Sequence, residues 1–431
     1  MPDGPMESGV IEKTVRWELA RNARRVARLD IPGGGQVTIQ GDYAYVGHMK
    51  PPHGTSIIDI RDPANPRVVA HVDPPPDSHT HKVRVVGDIM ITNVEMDRRH
   101  FLRKGDRLPA LRKELGVEAT DAALAARLGV TPEDIPVLDE ARARGYRNGG
   151  FRVWDVSDKA NPRLLRYVAT HGFGVHRFHM DADYAYISTE MPGYIGNILV
   201  TYALADPADP REVSRWHMAG QHLAGGETPT WPGYSHRLHH AMRCGNELWA
   251  AVWHAGFRVL DASDPANPKV LGGYRWPPAI PEPTHTVMPF EQLIDGRRYA
   301  LAIDEEHDHK PGRLHGFVWV LDVTDLKNIT AVTAWDLSER ASPWVGEPGA
   351  RFGAHQYYER LDTTRAYFTW FAGGLRVVDF ADPLNPVEVA HYMPDPGDGT
   401  APQSNDVALD DRGLVYVIDR VRGLDIVEIN G

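Results

Sequence analysis

One phrase recurs along the chain and limits its fold more than any composition figure. It is an apolar strand ending in Asp, a turn of the form Asp-Pro-x-Asn-Pro, and then a second apolar strand. It reads Ser56-Ile-Ile-Asp-Ile-Arg-Asp-Pro-Ala-Asn-Pro66, then Phe151-Arg-Val-Trp-Asp-Val-Ser-Asp-Lys-Ala-Asn-Pro162. Two further close copies are Phe257-Arg-Val-Leu-Asp-Ala-Ser-Asp-Pro-Ala-Asn-Pro268 and Leu375-Arg-Val-Val-Asp-Phe-Ala-Asp-Pro-Leu-Asn-Pro386. Looser copies occupy 199–210 and 318–328, and a seventh, Leu424-Asp-Ile-Val-Glu-Ile429, meets the C-terminus before its turn. Alternating apolar residues make half-buried strands, and Asp-Pro followed by Asn-Pro fixes a tight turn that no helix can cross. A second hairpin precedes each copy, as in Gly41-Asp-Tyr-Ala-Tyr-Val46 and Gly245-Asn-Glu-Leu-Trp-Ala250, because Gly-Asp and Gly-Asn between apolar runs are turn dipeptides.

Each unit is therefore four strands, the shape of a propeller blade. Seven units predict an all-β, seven-bladed β-propeller formed by residues 1–431 as one domain. The last blade lacks an outer strand, and Arg25-Val-Ala-Arg-Leu-Asp-Ile31 resembles the outer strand Arg67-Val-Val-Ala-His-Val-Asp73. Residues 24–31 are thus expected to close the ring. Gly 40 and Pro 34 in 431 residues are the punctuation such a fold needs. The repeated phrases resemble the LVIVD-repeat β-propeller family. That resemblance implies the fold and no particular activity, because the family has no single one.

Composition excludes several function classes. A net charge of −11 argues against nucleic acid or an anionic membrane as partner. No run of about 18 apolar residues occurs, so no membrane span is expected. The start lacks the apolar stretch of a signal peptide, which points to a cytoplasmic protein, with a trimmed secreted form left open. A single cysteine, Cys244, permits no thiolate cluster, and its strand position makes it core.

The chain has 21 histidines, and their placement is the strongest functional signal. Seven residues before the first hairpin turn of successive blades stand Gly35, His81, His176, His239, His285, His355 and Asn405, with a small offset in the fifth. At a background near 5%, five of seven by chance is on the order of once in 10⁵. Innermost strands line the channel, so His81, His176, His239, His285 and His355 are expected to ring its mouth as ligands of a divalent transition metal. Iron(II) is favoured, with copper, zinc and manganese open. A slip of one or two residues would exchange ring members for His79 or His240, and His236 and His309 are further candidates. Near the end of the second strand, beside the ring, stand Glu95 in blade two, Glu190 in blade three, and Asp304 with Glu305 in blade five. Such carboxylates brace imidazoles or act as acid and base, so Glu95, Glu190 and Glu305 are the catalytic candidates.

The longest insertion, 96–149, lies on the same face. Helical periodicity runs from Asp106 to Leu115, from Thr120 to Leu128 and from Ile135 to Arg144. It is expected to lid the channel or to join subunits of a homo-oligomer, with basic residues such as Arg99 and Arg103 on a solvated face. In layout the ring is similar to that of the carotenoid-cleavage oxygenases, propellers whose four histidines hold a non-haem Fe(II) braced by glutamates. The methanethiol oxidase (selenium-binding) family offers a second propeller with functional histidines. These likenesses imply oxidoreductase or oxygenase-type chemistry on a small, partly apolar or aromatic substrate. A metal-dependent lyase or hydrolase, or a non-enzymatic binding scaffold, are the alternatives.

Overall fold

The computed structural model describes residues 18–231, 235–277, 280, 282–307, 310–395 and 399–430; His309 lies outside them. The first repeat runs up and down through Gly34–Gln40, Tyr43–His48, Thr55–Asp59 and Arg67–Val72, hydrogen-bonded in that order. The same order recurs from His240–Cys244 to Lys269–Tyr274, from Thr284–Pro289 to Thr330–Trp335, and from Ala354–Tyr357 to Val387–Tyr392. Two further sets, Val83–Val86 to Arg163–Ala169 and His171–Met180 to Arg211–Trp216, are joined by one pairing, Gly174 with Glu95. The last set is Ser404–Leu409, Val415–Asp419 and Arg422–Ile429, completed by the N-terminal strand Ala23–Pro32. Ala23 stands opposite Ile429, and Leu29 opposite Leu424.

The first strand of every set packs against the first strand of the next, and Ser404–Leu409 packs back against Gly34–Gln40. The molecule is a β-propeller. Its turns have a common cause. The Asp62 carboxylate accepts from the Ala64 N–H at 3.0 Å and from Asn65 Nδ2 at 2.7 Å, and Asp158, Asp264 and Asp382 repeat this geometry. The hairpins before them turn on Gly41, Gly87 and Gly245 at φ of 54°, 60° and 61°, a region that glycine enters without cost. Between sheets, large side chains such as Trp249, Trp370, Tyr45 and Tyr186 are fully buried, each contributing a few kcal/mol.

Residues 97–149 leave the second set and include four helices: α1 Arg99–Leu102, α2 Leu108–Leu115, α3 Asp121–Leu128 and α4 Asp134–Arg144. Leu108, Leu111, Leu124, Leu128, Ile135 and Leu138 form a small core of their own. Thr120 caps α3 by accepting from the Ala123 N–H, and the Thr131 N–H and hydroxyl both donate to Asp134 at the start of α4. The expected solvated basic face is overturned at Arg99, which is buried (5% exposed) because α1 follows the strand Ile89–Met96 so closely that its first residue turns back onto Glu95. Among the described residues no helix is long and apolar enough to cross a membrane.

Candidate metal centre

The inner-strand positions read from the sequence converge. Imidazole follows imidazole around the channel: ring centroids are 5.4 Å apart for His81 and His176, 4.9 Å for His176 and His239, 4.0 Å for His239 and His285, and 4.5 Å for His285 and His355. Asn405 and Gly35 complete the circuit, Asn405 Nδ2 donating to the Gly35 carbonyl at 2.8 Å. Gly35 must be glycine, since a Cβ there would lie 2.8 Å from His81 Cβ. Burial comes first in pushing all five imidazoles well below their usual pKa, and neighbouring cations or imidazoles add to it. They are held neutral, as ligands must be.

The two halves of the arc differ. His239 Nδ1–H donates to the His285 carbonyl at 2.6 Å, His355 Nδ1–H to the Asn405 carbonyl, and His285 Nδ1–H to Gln356 Oε1 at 3.0 Å. These bonds fix the tautomer that leaves each Nε2 with its lone pair. Among the described residues His239 Nε2 is buried without a partner, and His285 Nε2 and His355 Nε2 lie 4.0 and 3.8 Å from the Glu305 carboxylate. His239, His285 and Glu305 bring their ligand atoms within 4.8 Å of one another, close enough to share an ion. Glu305 is itself held by His307 Nε2 at 3.0 Å and Arg351 Nη1 at 3.3 Å. Burial would raise its pKa, but the His307 contact outweighs that and holds the carboxyl well below the usual carboxylate range.

In the other half, His79, His81 and Glu95 form a second group of the same size. Here the ligand atoms of His79 and Glu95 are already used. Glu95 Oε2 takes His79 Nε2 at 2.9 Å and His176 Nδ1–H at 3.1 Å, while Arg99 Nη1 stands 2.7 Å from Oε1. Arg99 Nη2 also donates to His176 Nε2 at 3.4 Å. A buried guanidinium occupies the place of a cation.

Glu190 is drawn away from the imidazoles. It accepts from Arg103 at 2.5 Å and from the Phe173 N–H at 3.0 Å, anchoring the helical insertion to the propeller. His240, adjacent to His239, alternates to the other side of its strand and joins His179 and Glu359, where Arg177 already pairs with the carboxylate. His236 stacks on Trp231 at 4.2 Å. Asp304 is buried with its carboxyl pushed well up by desolvation, one oxygen accepting from Trp319 Nε1 at 2.9 Å. Cys244 lies in its strand with its thiol pushed up to about 12 by burial, unsuited to be a nucleophile.

A cavity of about 510 Å³ opens onto the arc, lined among others by His81, His176, His285, His355, Glu95 and Glu305. The wall residues not read from the sequence as part of the site include Arg99, Arg351 and Arg420. Arg420 had a signal. It stands one residue past Asp419 at the end of its second strand, as Glu305 stands one past Asp304.

The LVIVD-repeat profile matches residues 34–73 and 244–275, so two stretches of this β-propeller are similar to LVIVD repeats. A search of curated proteins finds no match. Among solved structures, the C-terminal WD40 domain of Sif2 aligns with a TM-score of 0.54 at 11% identity, over 95% of this chain and 99% of that one. The periplasmic gluconolactonase of Pseudomonas aeruginosa aligns at 0.54 and 13% identity, over 87% and 88%. A streptogramin B lyase aligns at 0.50 and 10% identity, over 95% and 97%. At these identities the likeness is one of fold. Propellers similar in fold thus include enzymes, and several His and Glu groups here could hold a metal ion.

Proposed function

We propose that the chain is one seven-bladed ring with 96–149 as its lid, and that it is a metal-dependent enzyme acting on a small organic molecule. The observation that carries this reading is the trio His239, His285 and His355, each with Nδ1 committed to an oxygen, two with Nε2 facing Glu305 and the third with Nε2 unpartnered among the described residues. Three neutral imidazoles and a carboxylate suit iron(II), zinc, copper or manganese, and iron(II) is our first choice. Such an ion, when bound, supplies an open coordination position and, if iron or copper, redox chemistry.

The chain's own residues do the rest. Carbonyl oxygens hold the ring tautomers, His307 and Arg351 orient Glu305, and Arg99 keeps cations off Glu95. Glu305, ionised and beside the trio, is the group able to hold a substrate proton. We place oxygenase-type chemistry first, on the ring layout. Lewis-acid lyase or hydrolase chemistry is the second reading, favoured by the lyase and lactonase that share the fold.

Metal analysis of untagged protein tests the proposal. Near one metal per chain is expected, lost in His239→Ala and His285→Ala while the β-sheet circular dichroism persists. A content below about 0.2 per chain with no uptake on reconstitution sinks the reading in favour of a non-enzymatic scaffold.

A further inference from the structure

The cavity over the arc is basic although the chain is acidic. Its wall carries six basic side chains against three acidic ones, in a protein of net charge −11. Two of those acids already have cationic partners: Glu95 has Arg99, and Glu305 has Arg351. Lys82 Nζ is turned to the Gly35 carbonyl at 2.7 Å. Arg420 is different. Among the described residues its guanidinium makes one hydrogen bond, Nη1 to Asn405 Oδ1 at 3.3 Å, which leaves most of a five-donor fork unused.

The backbone that carries that fork is tied down. The Arg420 N–H donates to the Gln403 carbonyl at 2.8 Å, and the N–H groups of Val421 and Arg422 both donate to Asp419 Oδ1. Gln403 Nε2 in turn donates to the Arg351 carbonyl at 3.0 Å, so one residue ties both arginines together. Arg351 donates to the Glu306 carbonyl at 2.8 Å and lies with Cζ 3.9 Å over the Phe371 ring. Burial first, then Arg351 alongside, pushes Arg420 down to about 9, while Glu305 pulls the other way.

Resting on the metal-centre reading, we propose that the substrate is a small organic carboxylate, its carboxylate bound by Arg420 and Arg351 beside His355 and Glu305. A guanidinium fork matches the two oxygens of a carboxylate, and the excess of basic side chains on the wall favours an anion. Phe101, Met49 and Val421 offer the remainder of the substrate an apolar lining.

Isothermal titration calorimetry on the full chain tests this, with acetate, benzoate and phenylacetate against their primary amides and against sulfate. At least one acid is expected to bind tenfold or more tightly than its amide. Arg420→Met should lose that tenfold and Arg420→Lys only part of it, both with unchanged metal content; Arg351→Met is the second variant should Arg420→Met fail to fold. Amides that bind as well as acids, sulfate that outbinds every carboxylate, or wild-type affinity in a folded arginine-to-methionine variant would overturn the proposal. Titrating metal-loaded and metal-stripped protein separates the two readings. Arginine-dependent benzoate binding by a protein that takes no metal keeps the carboxylate site and removes the metal centre. A metal-loaded protein with no preference for acids does the reverse.

Discussion

Glu95 and Arg99 are four residues apart in the chain, yet one ends a strand and the other begins a helix, so their contact comes from the bend between them and not from a helical spacing. The pairing decides which half of the arc is free for an ion. Removing the guanidinium in Arg99→Ala should let His79, His81 and Glu95 take a second ion, so metal content should rise from about one toward two per chain; an unchanged stoichiometry on elemental analysis would sink that account. His48 gives a residue-scale test of burial alone. Buried and bonded to the Pro32 carbonyl and Ser56 Oγ, it is pushed from 6.5 down to about 4, first by desolvation. The unfolded chain therefore takes the proton first, so stability is level above pH 6.5 and falls as pH drops toward 4. His48 accounts for roughly 3 kcal/mol of that fall. Urea unfolding at pH 7 and pH 4 should show His48→Gln losing less than wild type by about that amount. Equal losses would mean that His48 does not titrate across this range.

At the scale of elements, the strand pattern and its turns were legible because each copy repeats the same local chemistry. The ring positions were legible for the same reason, since a fixed offset from a turn is a fixed height on an inner strand. Glu190 was misread for a physical reason: the offset placed it at the correct strand end, but Arg103 and the Phe173 N–H compete for its carboxylate. The helices α2 to α4 were legible in their apolar period and their starts, whereas the inward turn of Arg99 was not, since a basic residue beside an exposed loop reads as solvated. Because the insertion has its own small core, replacing 98–147 by a short Gly/Ser linker should leave the propeller folded and the metal on His239, His285 and His355. Circular dichroism and metal analysis check this, and loss of the β-sheet signal would make the insertion part of the propeller core.

At the scale of the molecule, the N-terminal strand Ala23–Pro32 closes the last sheet against Arg422–Ile429. Deleting residues 1–32 uncovers that edge and the buried Leu424 and Ile426 beside it. An opened propeller with a bare apolar edge is an aggregation site. A fall in Tm with aggregation on size-exclusion chromatography is therefore expected; an unchanged Tm would show that the strand is not what closes the sheet. The sequence by itself determined the repeat, the closing strand and the height of each ring histidine, because all three are written in local spacing along one strand or turn. Only the tertiary structure decided which imidazoles keep a lone pair free, which carboxylate stands among them, and that Arg99, Arg351 and Arg420 share the cavity. Those choices depend on contacts between residues up to several hundred positions apart, and no local period records them.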